Sequence, residues 1–341
     1  KEIVFAEGYV PGLDYSFQVE RAKFDAILLD HARSLGADVH TGVTVRALEE
    51  GEGLVSARLQ AGSGPERTLT ARWVIDAGGR ENLYGSSLKA EHDEAPFPRR
   101  AAVYSHFEGV RREPGPRGGN IIIVRIEDGW FWIIPIGATR TSVGMVSTAA
   151  TLRAADSPES AFRRTVAASP FLREAFAGAA AVAPFRMTAD YSYVRKDFCS
   201  ARVVLVGDSA SFYDPIFSSG VYISTYSAKM AVEMLSRARD GGRGLSGSER
   251  RAYTRGLKRH CGAFRKLIEV FYDNRGFEVF MTQEPPWDLN CGLVSIVAGH
   301  VRLTWPLWWR FRVFLAVCWL QRLFPLVPRI THGTRVSQAP A

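Results

Sequence analysis

The period of apolar and polar positions changes along the chain. Near the start it is helical, and the apolar face of the predicted helix consists of Phe24, Ile27, Leu28 and Ala32. Gly36 lies where that helix is expected to end. A strand is expected next, and residues 54–61 and 68–76 then alternate as the two strands of a hairpin. The first part of the chain therefore predicts a lobe that mixes helix and strand.

The middle of the chain is rich in predicted strands. Between about residues 98 and 195, AAVYSHFEGV, NIIIVRIEDGWFWIIPI and TSVGMVST alternate as antiparallel strands. The apolar run VVLV at 203–206 then returns to the first lobe, and helical periods dominate from residue 246 onward. The predicted fold class is α/β with α+β elements. Its four predicted segments are 1–97, 98–195, 196–240 and 241–341.

Composition limits the class of protein only broadly. The 341 residues are 46% hydrophobic and 23% charged, which is typical of a globular chain that can form two lobes. The net charge of +8 permits anion binding, but no basic run is interleaved with aromatic residues, so we predict no nucleic-acid partner. The four cysteines and seven histidines lack metal-ligand spacing. We therefore expect no metal, no disulfide framework and a reducing, cytoplasmic location.

The segment WPLWWRFRVFLAVCWLQRLFPLVPRI at 305–330 is strongly apolar. Its arginines leave only residues 313–321 without charge, which is much too short to span a membrane. We predict a helix that packs over the strand-rich lobe while its arginines reach water. A peripheral membrane contact through tryptophan anchors is the alternative that we disfavour.

The segment GDSASFYDPIFSSGV at 207–221 has the form of a binding turn, because it directly follows a predicted buried strand. Gly207 lets the backbone approach a ligand closely, and Asp208 places a carboxylate at the strand end. A second strand, VIDAGGR at 74–80, also runs into glycines. Both segments are therefore candidates for a ligand site.

Two further segments belong to the same pattern. QVERAKFD at 18–25 opens the first helix, and its Arg21 could hold two oxygens of a phosphate. GWFWIIPI at 129–136 places Trp130 and Trp132 on one face of a strand. Each of these two segments alone is as compatible with an ordinary surface helix or core strand as with a ligand site. The interpretation therefore rests on their combination and order along the chain.

Together the four segments resemble the flavin-dependent halogenases, a branch of the aromatic-hydroxylase-like flavoproteins, over about residues 15–330. The resemblance implies an FAD-binding Rossmann-like lobe, an antiparallel-sheet substrate lobe over 98–195 and a helical C-terminal region. The residues that it assigns to FAD are Arg21, Ala77, Gly78, Gly207, Asp208, Pro215 and Val221.

The resemblance also assigns the catalytic parts. Backbone N–H groups at Ser219 and Gly220 would bind chloride or bromide, as a helix start can bind an anion. The Trp130, Trp132 and Pro135 segment would form a dry wall beside the flavin. Reduced FAD, dioxygen and halide would yield an electrophilic halogen, which a lysine passes to an electron-rich aromatic ring.

Two features depart from the family pattern. Phe217 stands where tryptophan-type halogenases carry a glutamate, so we expect a phenol or pyrrole substrate, possibly tethered to a carrier protein, rather than free tryptophan. The glycine turn G-x-G-x-x-G is missing from these residues and the first residue is Lys1. We therefore expect the N-terminal part of the FAD lobe to be absent, and Lys1 is the candidate for the family's lysine.

The leading interpretation is a halogenase of secondary-metabolite biosynthesis that receives reduced FAD from a separate flavin reductase. One alternative is an FAD-dependent hydroxylase or prenyl-lipid reductase of the same fold. Another is a truncated flavoprotein that binds without catalysis. The atom found in the product distinguishes the halogenase from the hydroxylase, since the first adds halogen and the second adds oxygen.

Overall fold

A computed structural model describes the chain apart from a few short segments. It divides into two compact units, of which unit 1 comprises 1–16, 40–97 and 192–330, and unit 2 comprises 17–39 and 98–191. The predicted boundary at 240–241 lies outside the described residues. The described residues are 1–12, 14–81, 83, 97–189, 192–239, 243–283, 285–302 and 304–330.

The described part of the chain contains both helices and strands. Its α-helices are α1 Arg21–Ser34, α2 Ala149–Arg153, α3 Pro158–Ala168, α4 Pro170–Ala175, α5 Gly220–Arg239, α6 Gly247–Tyr272, α7 Asn274–Phe280, α8 Leu289–Val297 and α9 Trp305–Leu323. Its strands are β1 Val43–Glu50, β2 Val55–Ala61, β3 Glu66–Ala71, β4 Val74–Asp76, β5 Arg100–Glu108, β6 Ile122–Ile126, β7 Gly129–Ile136, β8 Arg140–Thr148, β9 Ala180–Ala181, β10 Arg186–Ala189, β11 Tyr193–Val194, β12 Val203–Leu205 and β13 Ser211–Phe212.

Unit 1 contains an antiparallel sheet in the order β1-β2-β3 and a separate parallel pair, β4 and β12. The single hairpin strand predicted over 68–76 is therefore wrong, because it divides into β3, which pairs with β2, and β4, which pairs with β12. The buried Arg202 fixes this change of partner, since its guanidinium donates to the carbonyl oxygens of Glu52 and Arg72.

Unit 2 is built on an antiparallel sheet in the order β10-β5-β8-β7-β6, with β9 added beside β5. Strand alternation places Phe131 and Ile133 on the face that packs into a core with Phe162 and Leu172 of α3 and α4. The two tryptophans of β7 consequently point to the opposite face. This sheet has the antiparallel pairing that the alternating segments predict.

Helix α1 differs from its predicted amphipathic packing. None of its residues is buried, and the exposed fractions of Ile27, Leu28 and Leu29 are 66%, 47% and 42%. The helical period alone predicts which side chains share a face, but burial also requires a second element against that face. None of the described elements packs against the apolar face of α1 and buries it.

The helices of unit 1 pack side by side. Helix α6 begins with a capping box formed by Ser246 and Glu249, and α9 lies against α7 and α8. Between α5 and α6, the hydroxyl of Tyr222 lies 2.9 Å from Nε2 of His260, whose ring stacks at 3.5 Å on Tyr226. In the described part of the chain, no helix has both the length and the apolarity needed to cross a membrane.

Acid should destabilise unit 1 through His260. Burial lowers the pKa of His260 from 6.5 to about 4, so the unfolded chain binds this proton more tightly than the folded one. The free energy of unfolding should be highest above about pH 6.5 and fall by about 2 kcal/mol toward pH 4, after allowance for solvent screening.

Urea unfolding across this pH range measures the effect. The His260→Gln variant should lose most of the slope, whereas His31→Gln, on the exposed surface of α1, should keep it. Equal slopes in the two variants would contradict the assignment to His260.

Candidate functional site

The candidate site of unit 1 begins where β4 and β12 end. The two strands are parallel and in register, with Asp76 beside Leu205, so their carboxyl ends lie at one edge. Each strand runs into a one-turn 3₁₀ helix, and both turns contain a glycine with positive φ, +68° at Gly79 and +56° at Gly207. Ligands of parallel α/β sheets bind beyond such an edge.

Hydrogen bonds hold the two turns together. Oδ1 of Asp76 accepts from the backbone N–H of Gly78 at 2.8 Å and from the Ser209 hydroxyl at 3.1 Å. The Ser209 oxygen in turn accepts from the N–H of Gly79 at 3.0 Å. Both side chains are buried, so the edge has a fixed shape. The sequence analysis did not assign Asp76, although its place between a strand and two glycines was a usable signal.

Gly207 brings its turn into close contact with helix α5. A Cβ at this position would lie 2.5 Å from Oγ of Ser224, and the positive φ disfavours any side chain. Its N–H donates to the buried Ser227 hydroxyl at 2.8 Å. Gly207 is therefore required for helix packing, whereas its predicted approach to a ligand stays a prediction.

Asp208 follows with a half-buried side chain, and its carbonyl oxygen accepts a hydrogen bond from the Tyr193 hydroxyl. Burial, aided by the Asp208 charge, raises the pKa of Tyr193 to about 12, so this phenol stays protonated and acts as a donor. The half-buried carboxylate of Asp208 is an acceptor of the kind that a hydroxyl of a polyol chain needs. The exposed backbone of Ala77 and Gly78 provides the open surface that a flat ring needs.

Asp208, Ala77 and Gly78 fit the flavin end of FAD. Arg21 is placed differently, because it belongs to unit 2 and forms a two-point hydrogen bond to Asp25, at 3.1 and 3.0 Å. Its predicted contact with the flavin nucleotide stays a prediction.

The loop DPIFSSG at 214–220 is anchored at its first residue. Asp214 is 4% exposed, and its carboxylate accepts from the N–H of Ile216 at 3.0 Å and from the Tyr272 hydroxyl at 2.8 Å. Pro215 then starts a one-turn 3₁₀ helix. Tyr272 could not be assigned to this loop from the local pattern, because it lies 58 residues away at the end of α6.

The second half of the loop leads into helix α5. The ring of Phe217 lies 6.3 Å from Phe271 and 6.2 Å from Phe280, and Ser218 adopts a left-handed backbone with φ +51°. That conformation costs about 1 kcal/mol or more, and residues that adopt it are concentrated in the binding and catalytic loops of many proteins.

Helix α5 begins at the predicted anion site. The carbonyl of the buried Ser219 accepts from Ile223, and Gly220 opens the helix, followed by the half-buried Val221. The first N–H groups of a helix have no intrahelical acceptors and carry a partial positive charge. The position suits an anion such as a halide.

Lys1 is connected to the loop 214–220 through the ring of Phe280. Its ammonium donates to the carbonyl oxygens of Phe280 and Thr282, at 2.8 and 2.9 Å, and to Oδ1 of Asn290 at 2.7 Å. It also lies 5.4 Å from the centre of the Phe280 ring, which contacts Phe217. Burial lowers the pKa of Lys1 to about 8. The contacts would also suit a lysine that caps the end of α7.

The tryptophans of β7 are fixed within unit 2. Trp130 is 1% exposed, its ring lies 5.8 Å from that of Trp132, and Nε1 of Trp132 donates to Ser142 at 3.1 Å. A Cβ at Gly144 would lie 2.1 Å from the Trp132 ring, so the indole occupies the space above that glycine. The assigned role of Trp130, Trp132 and Pro135 as a dry wall stays a prediction.

Other site chemistry is sparse among the described residues. No group of three or more His, Cys, Asp or Glu side chains there could hold a metal ion. The four cysteines are buried free thiols, and burial raises the pKa of each.

Comparison with known proteins places this geometry in context. Residues 4–280 match the tryptophan halogenase family. A 1H-pyrrole-2-carbonyl-[peptidyl-carrier protein] chlorinase of Pseudomonas fluorescens is 37% identical over 242 residues, 67% of this chain and 53% of that protein. A tryptophan 2-halogenase of Chondromyces crocatus is 29% identical over 76% of this chain and 51% of that protein.

A solved structure supports the fold. The myxobacterial chondrochloren halogenase CndH, described as a variant of FAD-dependent halogenases, superposes with a TM-score of 0.72 and 29% identity, over 92% of this chain and 77% of that one. The predicted fold class and family resemblance are confirmed. The chain spans about half the length of the curated relatives that it matches.

The Asp214–Tyr272 hydrogen bond should couple the loop to α6. In a double-mutant cycle, Asp214→Ala and Tyr272→Phe should each destabilise the fold, and the pair should show a coupling energy of about 1–2 kcal/mol in urea unfolding. The buried Tyr253 hydroxyl donates to the Leu205 carbonyl instead. Tyr253→Phe combined with Asp214→Ala should therefore be additive, and additivity in both cycles would refute the coupling.

Proposed function

The chain belongs to the tryptophan halogenase family, and on that premise we propose that it forms the catalytic part of a flavin-dependent halogenase. The substrate is an electron-rich aromatic ring of the phenol or pyrrole type, held on a carrier protein. The observation that carries the proposal is the anchored loop 214–220, which runs from the turn at Gly207 into the start of α5, a helix that packs on the same turn through Ser224 and Ser227. A separate flavin reductase supplies reduced FAD.

The residues of this chain hold the reactants. Asp208 accepts a hydrogen bond from a ribityl hydroxyl, and the open backbone at Ala77 and Gly78 lies against the cofactor. The N–H groups of Ser219 and Gly220 hold the halide. Reduced FAD, when bound, supplies the chemistry by which dioxygen and halide yield an electrophilic halogen.

Lys1 transfers the halogen in this proposal. Its neutral amine displaces hydroxide from hypohalous acid, so that an N–H bond is replaced by an N–halogen bond and water leaves. The nitrogen lone pair is available only after the ammonium has lost a proton, and a pKa of about 8 makes that loss accessible near neutral pH.

Phe217 supports the choice of substrate. Tryptophan-type members carry a glutamate at this position, whereas here the side chain packs between Phe271 and Phe280 and offers no charge. The relative at 37% identity is named for a pyrrole substrate on a carrier protein. Both observations favour a phenol or pyrrole over free tryptophan.

Halogenation itself is tested on the full-length protein with reduced FAD, dioxygen, bromide and an electron-rich phenol. Mass spectrometry should find the bromine isotope doublet in the product. A hydroxylated product, or flavin oxidation with peroxide release and no bromine, would instead support a hydroxylase of the same fold.

The halide site is tested by removing one amide hydrogen. Gly220→Pro deletes the N–H at the first helical position, where proline is well tolerated, and a Cβ there has room because its nearest neighbour is Phe212 at 3.9 Å. The KM for bromide should rise by about tenfold or more, with FAD binding unchanged. Gly220→Ala keeps the N–H and should stay close to wild type. Equal effects in both variants would exclude the proposed contact.

Lys1 is tested by a change that keeps its charge. Lys1→Arg preserves a cation on the carbonyls of Phe280 and Thr282 but offers no neutral amine near pH 8, so halogen transfer should fall by about 100-fold or more while the fold is retained. In the wild type, the rate should rise with pH through about 8. Lys23→Arg, on the exposed helix α1, is the matched control. Full activity in Lys1→Arg would leave Lys1 only a capping role.

A further inference from the structure

Helix α9 has two apolar faces. One is buried against α7 and α8 and includes Leu307, Phe311, Phe314 and Cys318. The other faces solvent, with exposed fractions of 73% for Trp305, 43% for Trp308, 57% for Trp319 and 59% for Leu323. Trp305 and Trp308 are three residues apart, Trp319 and Leu323 are four apart, and the eleven residues between Trp308 and Trp319 make about three turns, so the four share one face. We call them the tryptophan stripe. A helix that only packs against the protein core needs the first apolar face but not the second.

The charged side chains of the segment that carries the tryptophan stripe have one sign, and one of them, Arg322, is paired with the carboxylate of Asp273. Residues 301–330 contain five arginines and no lysine, aspartate or glutamate. Arg312 lies over the ring of Trp308 at 5.7 Å, and Arg310 over that of Trp309 at 4.6 Å. Exposed apolar residues continue beyond the helix at Phe324, Leu326 and Ile330.

This combination matches the physical requirements of a lipid surface. Tryptophan rings prefer the headgroup level of a bilayer, and arginine stems lie along apolar surface while their guanidinium groups reach phosphate. The 19 residues of the helix give a straight contact of about 28 Å, and a helix with an apolar face and basic residues can lie along a bilayer interface over that length. The helix lacks the apolarity needed to cross a bilayer, so it would lie in the interface.

We propose that the tryptophan stripe and its arginines bind the surface of an anionic phospholipid membrane. The inference is independent of the halogenation proposal. It concerns a segment beyond residues 4–280, the part that matches the family. We expected this helix to pack over the strand-rich lobe, whereas it packs on α7 and α8 within unit 1, and the membrane contact is the alternative that we had disfavoured.

The test uses vesicles of phosphatidylglycerol mixed with phosphatidylcholine, and vesicles of phosphatidylcholine alone. The full-length protein should sediment with the anionic vesicles at least about tenfold more strongly than with the neutral ones, and about 0.5 M salt should weaken this binding. Brominated lipid chains should quench the tryptophan fluorescence of the wild type, a measurement that needs no variant.

Matched variants separate the helix from the rest of the surface. Trp305→Ala with Trp319→Ala should reduce vesicle binding by about tenfold, whereas Trp287→Ala with Phe171→Ala removes two exposed aromatic rings elsewhere and should not. Arg312→Gln with Arg329→Gln should also weaken binding, in contrast to Arg67→Gln with Arg173→Gln, which removes the same charge.

Four outcomes would overturn the proposal. The protein could fail to bind anionic vesicles, or the test and control variants could lose binding equally. Light scattering could show that the tryptophan variants dissociate an oligomer, or a purified carrier protein could bind this helix while vesicles do not. Either result would assign the tryptophan stripe to a protein interface.

Discussion

The parallel pairing of β4 with β12 is the constraint on which the candidate site depends. Each strand has only three residues, yet their register places Asp76 beside Leu205 and brings the two following turns to one edge. The buried Asp76 and Ser209 side chains then join the turns by hydrogen bonds. A shift of either strand would separate the exposed backbone at Gly78 from the carboxylate at Asp208, and no single surface would present both.

The loop between this edge and α5 shows how a strained segment is kept in place. Ser218 holds a left-handed backbone that favours glycine, and such a conformation persists only when its surroundings determine it. The carboxylate of Asp214 supplies one anchor through Tyr272, and the ring of Phe217 supplies another among aromatic neighbours. The start of α5 is consequently oriented without a ligand, which would reduce the cost of binding an anion there.

Lys1 combines contacts that orient its side chain with burial that lowers its pKa. The carbonyls of Phe280 and Thr282 orient the ammonium, while burial lowers its pKa toward the range in which an amine is a nucleophile. A fully solvated lysine would be charged and mobile, and a fully paired one would stay protonated. The intermediate position is compatible with both a helix cap and a transfer group.

The sequence by itself determined the local features. The period of β7 placed Trp130 and Trp132 on one face because strand geometry has a fixed repeat, and the order of the four segments identified the family. It also located Asp208 and Gly220 at strand and helix ends, which depend on a few neighbouring residues.

Only the tertiary structure decided which distant elements meet. It divided the predicted hairpin strand between two sheets, placed Tyr272 on Asp214, and set Lys1 against Phe280, 279 residues away. It also showed that one face of α9 is core while the other is open. Local patterns cannot encode these outcomes, because burial and pairing depend on the partner element as much as on the segment itself.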